Sequence, residues 1–289
     1  MKTTIKQLLI NGTKKLKESS IDTPRLDAEV ILSYQLGWQR IDLIMKSDDR
    51  IDEKQQKIYY DKIEKRIQGK PVQYITGQQE FMGLTFRVTP DVLIPRPDTE
   101  ILVEAAIEES NFMKKPLNIL EIGTGSGAIT LSLAYYIMES LVHTVDISAD
   151  AIKIAKENAR NLSLTKRIHF YLGDLFDPLG EKLYGKVDLL VSNPPYIPHN
   201  EIACLQKEVR NYEPILALDG GKDGLDFYRR LIQEGQRFLS PQGRMIFEVG
   251  YNQAQEVCRM LEEKGIFGEI VMKKDLAGID RTIIARKNQ

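Results

Sequence analysis

Cysteine is nearly absent: Cys204 and Cys258 are the only two in 289 residues, too far apart in sequence to suggest a metal pair. That scarcity excludes a disulfide framework and predicts free, buried thiols in a reducing compartment. No apolar run approaches the ~18 residues that a membrane span requires. The start, Met1-Lys2-Thr3-Thr4-Ile5-Lys6, leads into an amphipathic pattern rather than the apolar core of a signal peptide, so a cytoplasmic location is expected. Neither sign of charge prevails. A net charge of −1 argues against broad adhesion to nucleic acid or to an anionic membrane. Histidine is scarce as well: His143 and His169 fall in expected strands and His199 follows a proline-rich loop. No metal site is expected. Internal repeats and low-complexity tracts are missing.

What is present, 42% hydrophobic and 28% charged residues, is the composition of a soluble globular protein with one large or two modest domains. Residues 1–75 read as helices. Ile5, Leu8, Leu9 and Leu16 share one helical face, and Leu26, Val30, Ile31 and Tyr34 another. Thr23-Pro24 starts the second helix and Gly37 closes it; a further helix runs from Glu53 to Gln68. This segment carries a net charge of +4 and the remainder −5. Residues 76–97 form a β-hairpin around Gly83 followed by a proline-stiffened linker, with Asp98 or Thr99 expected to cap a helix starting near Glu100. From Leu117 onward strands are expected at 117–122, 141–146, 167–171, 187–192, 243–248, 266–272 and 281–286. Helices near 127–138, 149–162, 224–238 and 252–264 fall between them. Such alternation predicts an α/β fold, an open and mostly parallel sheet covered on both faces, over residues 98–289.

Two stretches carry chemistry. The first, Gly123-Thr124-Gly125-Ser126-Gly127, follows the first strand and opens a helix, where doubly wound sheets bind nucleotides. Gly123, Gly125 and Ala128 also satisfy the degenerate dinucleotide fingerprint, so this loop alone does not separate cofactors. Asp146 ends the second strand where a carboxylate receives ribose hydroxyls, and Asp174 ends the third, where it could meet an adenine amino group. The second stretch is Val191–Pro198, V-S-N-P-P-Y-I-P. Pro195 pushes Pro194 into an extended conformation, so the Asn193 amide oxygen and the Pro194 carbonyl converge beyond a strand end. With Tyr196 as an aromatic face beside them, the pair suits a planar group bearing an NH2.

The E-x-G-x-G-x-G pattern at Glu121–Gly127 and the strand-ending Asp146 resemble class I S-adenosylmethionine-dependent methyltransferases, and N-P-P-Y at 193–196 resembles their amino-methylating members. The whole chain is similar to the HemK/PrmC family, protein-(glutamine-N5) methyltransferases. The strings I-P-R-P-D-T-E (94–100) and S-N-P-P-Y-I-P (192–198) carry that resemblance, with Glu213-Pro214, residues 217–221, 224–228, 248–250 and 274–281 in support. Glu121 stands where the family often has Asp, and Leu175 where an aromatic can occur. The resemblance implies a seven-stranded Rossmann-like domain whose last strand is antiparallel and inserted beside its predecessors. It implies that S-adenosylmethionine is held by Gly123, Thr124, Gly125, Ser126, Gly127, Asp146, Asp174, Leu175 and Asn193. Asn193, Pro194, Pro195 and Tyr196 would hold the substrate, with Asn193, Pro194 and Tyr196 catalytic. That substrate would be the glutamine of the GGQ motif in class I peptide-chain release factors, and residues 1–75 would help to recognise it.

Three other readings share some of these features. A nucleic-acid adenine-N6 methyltransferase would use the same grip on a flipped base, but the near-neutral charge offers little duplex footprint. A dinucleotide-dependent oxidoreductase would use the glycine loop and leave Asn193–Tyr196 unexplained. A non-enzymatic translation-factor binding protein would have no need of an intact substrate loop.

Overall fold

The computed structural model describes residues 3–288, which divide into two compact units. Among the described residues the first comprises 3–78 together with the short segment 206–212. Its helices, Ile5–Glu18, Pro24–Leu36, Arg40–Met45, Glu53–Ile67 and Val72–Thr76, enclose a core of Ile5, Leu8, Ile31, Leu32, Tyr59 and Ile63. Thr4 closes a capping box with Gln7, and Pro24 occupies the first helical position as expected. Gly37 ends the second helix in the left-handed conformation. The helix Lys207–Tyr212 belongs to this unit through Arg66. That buried guanidinium pairs with Asp27 at 2.6 Å and Glu208 at 2.6 Å, while the Tyr212 hydroxyl donates to the Gln68 carbonyl at 3.1 Å.

The second unit begins at Gln79, within the first strand of a hairpin, Gln78–Phe81 with Leu84–Arg87, and holds a seven-stranded sheet. The strands of that sheet are β1 (Leu117–Ile122), β2 (Ser140–Asp146), β3 (Ile168–Leu172), β4 (Val187–Ser192), β5 (Leu239–Glu248), β6 (Phe267–Lys274) and β7 (Asp280–Lys287). Their order is β3-β2-β1-β4-β5-β7-β6, parallel except for β7, which lies antiparallel between β5 and β6. This is the class I methyltransferase arrangement expected from the sequence. The chain reverses its direction of winding between β1 and β4, which opens a crevice at their carboxyl ends.

Apolar residues alternate across the sheet and fill two layers. Ile119, Leu189, Val191 and Ile246 face a core shared with the hairpin's Phe81 and Phe86 and the helices Pro97–Ser110 and Ala128–Tyr136. Leu120, Leu190, Met245 and Phe247 face the opposite core with Tyr228, Leu231 and Val257.

Three details depart from expectation. The helix read from about Glu100 begins at Pro97, so Asp98 and Thr99 occupy its first turn and cap nothing; Arg96 is the N-cap residue. Proline, prearranged for the first helical position, decides the start. Strand β5 begins at Leu239, across Pro241 and Gly243, with a register shift against β4. Both cysteines are free, but Cys204 is exposed and Cys258 only half-buried. No helix among the described residues is long and apolar enough to cross a membrane.

Candidate active site

A cavity of about 430 Å³ lies at the carboxyl ends of β1, β2 and β4 and is lined by Gly123, Thr124, Gly125 and Ser126 of the glycine loop, though not Gly127, and by Asp146, Asp174, Leu175, Asn193, Pro194 and Pro195. Its volume is within the range of small-molecule sites. The glycine loop turns on positive φ at Gly123 (94°), Gly125 (52°) and Gly127 (83°). A Cβ at Gly127 would come within 3.1 Å of Ala155 and Leu131, so both backbone angle and helix packing require glycine there. Asp146 steadies the loop: Oδ2 accepts from the Gly125 N–H at 2.8 Å and Oδ1 from the Ser148 N–H at 2.9 Å. Burial pushes the Asp146 carboxyl above its usual range against those backbone donors.

Glu121 sits beneath the loop with no exposed surface. Its Oε2 accepts from Thr144 at 2.9 Å and from Thr130, while Oε1 has no partner among the described residues. Burial holds this carboxyl well above the normal range. A buried, unpaired carboxylate oxygen bordering a cavity is costly unless a ligand supplies a donor. It fits the cationic ammonium of an amino acid, so the donor set is compatible with S-adenosylmethionine. Leu175 is buried at positive φ (44°), and Asp174 pairs with Arg230 at 2.8 Å.

The loop after β4 is anchored from every side. The Ser192 hydroxyl donates to the Ile122 carbonyl at 2.7 Å, tying the two strands at the crevice. The Asn193 Nδ2 donates to Thr99 Oγ1 at 3.1 Å, which leaves Oδ1 as the end available to a ligand. Asn193, Pro194 and Pro195 line the cavity; Tyr196 does not. The Tyr196 ring is partly buried and packs against the core cluster that includes Tyr228 and Phe247. Its hydroxyl points at the buried Glu248 carboxylate at 3.4 Å, and burial raises the phenol's pKa. An aromatic residue whose hydroxyl has a buried partner turns inward. His199 stands apart, exposed, with Nδ1 2.7 Å from Asp219.

The remaining strings of the sequence resemblance carry this loop. Gln253 Nε2 donates to the Tyr196 carbonyl at 2.9 Å and the Gly224 carbonyl at 3.2 Å. A Cβ at Gly220 would meet Tyr196 Cα at 2.7 Å, and one at Gly224 would collide with the Tyr196 carbonyl. Arg96, which borders the cavity, pairs with the buried Glu213. Reading the sequence singled out Thr99 only as a possible helix cap and none of Arg230, Glu248 or Gln253 by role. Glu248 was visible only as a letter within one of the quoted strings. Arg230 and Gln253 had no signal.

Residues 7–77 match the family domain described as the PrmC N-terminal domain, and residues 113–285 match a methyltransferase domain. The release factor glutamine methyltransferase of Clostridium acetobutylicum is 45% identical over 97% of this chain and 98% of its own length. That of Moorella thermoacetica is 40% identical over 99% of both chains. A solved methyltransferase from Pyrococcus furiosus, 16% identical, covers 72% of this chain and 91% of its own with a TM-score of 0.51, a likeness of fold.

Proposed function

Because the chain belongs to the family of release factor glutamine methyltransferases and is an S-adenosylmethionine-dependent enzyme, we propose that it methylates the side-chain amide nitrogen of a glutamine in a peptide-chain release factor. The finer assignment is the GGQ glutamine of class I release factors, with residues 1–75 recognising that protein, 76–97 linking and 98–289 catalytic. The observation that carries the reading is Asn193, held by Thr99 with its oxygen left over at the edge of the cavity.

S-adenosylmethionine, when bound, supplies a methyl group activated by its sulfonium sulfur. The backbone of Gly123, Thr124, Gly125, Ser126 and Gly127 would surround its amino-acid end, with Glu121 answering the ammonium. Asp146 would take the ribose, Asp174 and Leu175 would flank the adenine, and Asn193 would border both ligands. An amide nitrogen is a poor nucleophile because its lone pair is delocalised into the carbonyl. Asn193 Oδ1 and the Pro194 carbonyl would accept its two hydrogens, favouring positive charge on nitrogen and fixing its direction. Positioning of this kind lowers a barrier by up to ~7–11 kcal/mol, so no strong base is needed, and one of the two nitrogen protons would leave after transfer to the oriented acceptors or water. Pro195 stiffens the grip, and Tyr196 supports it from behind.

The test is methyl transfer to a purified release factor, with mass spectrometry to locate the product. One methyl on a glutamine side-chain amide is expected; transfer to duplex DNA in its place would sink the reading.

A further inference from the structure

The carboxylate assigned to the adenine end of the cavity does not stand alone. Asp174 lies just past β3, and Arg230, on the helix Asp226–Gly235, reaches it as a fork. Nη2 of Arg230 donates to Oδ2 at 2.8 Å and Nη1 to Oδ1 at 3.4 Å. The arginine itself borders the cavity, as does Phe227 one turn earlier on the same helix face. Glu234, an ion-pair partner at 3.5 Å on Nε, leaves both fork nitrogens to Asp174. The Asp174 and Arg230 side chains are 39% and 42% exposed. A pair so open to water adds little to the stability of the fold, which gives no account of a two-pronged contact on a cavity wall. Arg230 also lies outside every string that carries the sequence resemblance, so no role comes to it from there.

We propose that Arg230 is a positioning residue for the cofactor: its fork holds the Asp174 carboxylate at the cavity wall as the acceptor that selects a purine bearing a 6-amino group. The proposal rests on the cofactor reading given above and deepens it, from a nucleoside in the cavity to the edge by which its base is read. An ionised carboxylate only accepts hydrogen bonds, at about four lone-pair sites on its two oxygens. The fork takes one site on each oxygen, fixes the plane of the group and leaves room for a further donor. A 6-amino group supplies that donor. A 6-oxo group, itself an acceptor, does not.

A base entering the cavity also strips water from Asp174. A desolvated carboxylate without a partner opposes the binding of a neutral base, and the Arg230 charge beside it offsets that penalty. Lysine at this position is a point charge on a flexible stem, so it neutralises Asp174 without fixing its plane.

The experiment is a binding cycle by calorimetry on the full chain with two probes. One is S-adenosylhomocysteine, the cofactor after loss of its methyl; the other is its counterpart carrying a 6-oxo purine. Wild type, Arg230→Ala, Arg230→Lys, Asp174→Ala and the double alanine variant are compared, with thermal unfolding of each to show that it is folded. The wild type should prefer the 6-amino probe at least ~10-fold, the scale of one hydrogen bond to a charged group. Both Arg230 variants should weaken the 6-amino probe and bring the preference to within about threefold. In the Asp174→Ala background, replacing Arg230 should change affinity by no more than about twofold, because its action passes through the carboxylate. A wild-type preference in either Arg230 variant overturns the proposal. So does equal weakening of both probes, the mark of a merely structural role, and so does a loss in the Asp174→Ala background as large as in the wild type. If the wild type binds neither probe, the cofactor reading has failed and the proposal with it. If Asp174→Ala abolishes the preference while Arg230→Ala keeps it, the proposal alone falls. The identity of the methyl acceptor is decided separately, by product mass on a release factor.

Discussion

Asn193 commits its amide nitrogen to Thr99, so the two kinds of substitution at this position separate its roles. Asn193→Ala removes an acceptor from the substrate NH2 and leaves Thr99 without its donor. Losing such a bond costs about 1–3 kcal/mol in binding, and more in the transition state where the nitrogen gains charge. Single-turnover transfer should fall at least ~100-fold, with cofactor affinity largely kept. Asn193→Asp keeps shape and acceptor but replaces the amide donor to Thr99 with a charged carboxylate beside the cavity. It should bind cofactor and methylate poorly; near-normal rates would reduce Asn193 to a turn residue. Glu121 gives a second test. Burial raises its pKa, so the ligand-free protein keeps this proton to a higher pH than an exposed carboxyl would, and where the proton is kept an incoming ammonium must displace it. Cofactor affinity should therefore weaken as pH falls below that raised value, and Glu121→Gln should lower affinity about 10–100-fold and flatten the dependence. The sign for stability is opposite. A folded pKa above the unfolded value gives stability that is complete below the unfolded carboxyl range and is lost as pH rises through the raised value. Thermal unfolding of the ligand-free wild type should show that loss, and Glu121→Gln should not.

At the scale of elements, the substrate loop depends on segments that contribute no group to chemistry. Gly224 has φ of +76°, and its missing Cβ makes room for the Tyr196 carbonyl and the Gln253 amide. Gly224→Ala should slow transfer at least ~10-fold through a displaced loop, at a stability cost of about 1–3 kcal/mol. Cofactor affinity should hold, because the Gly123–Gly127 loop is anchored separately by Asp146 and Val145. Equal losses of transfer and cofactor binding would contradict that independence. The same distinction explains what could be read before the structure. Strands β1, β2 and β4 were legible because parallel strands buried on both faces appear as continuous apolar runs. The cavity residues Gly123, Asp146, Asp174 and Asn193 were legible because they sit at strand ends, where this architecture binds ligands. The helices Arg40–Met45, Val72–Thr76 and Lys207–Tyr212 were not, being too short to establish a period. Nor was the inward turn of Tyr196, which depends on Glu248 arriving from 52 residues away.

For the molecule as a whole, the proposed division of labour rests on where the charges and the cavity lie. Every residue lining the cavity belongs to the unit comprising residues 79–205 and 213–289. Residues 1–75 carry the +4 charge, and the helix Arg40–Met45 exposes Ile41, Ile44 and Met45. A net-basic segment with exposed apolar side chains suits a protein partner more than a small cofactor. A chain shortened to begin at Gln78 therefore keeps every group proposed to touch S-adenosylmethionine. It loses Arg66 and Gln68, the partners of Glu208 and Tyr212, so the segment 206–212 is left unmoored. The expected result is cofactor affinity within about twofold of the full chain, measured by calorimetry. Methylation of a release factor should fall at least ~10-fold in kcat/KM, chiefly through a raised KM, because the loss is one of substrate binding and the reacting groups remain. An unchanged kcat/KM in a folded, cofactor-binding truncation would remove residues 1–77 from substrate recognition. A fall confined to kcat would move their contribution from docking the protein to shaping the site itself.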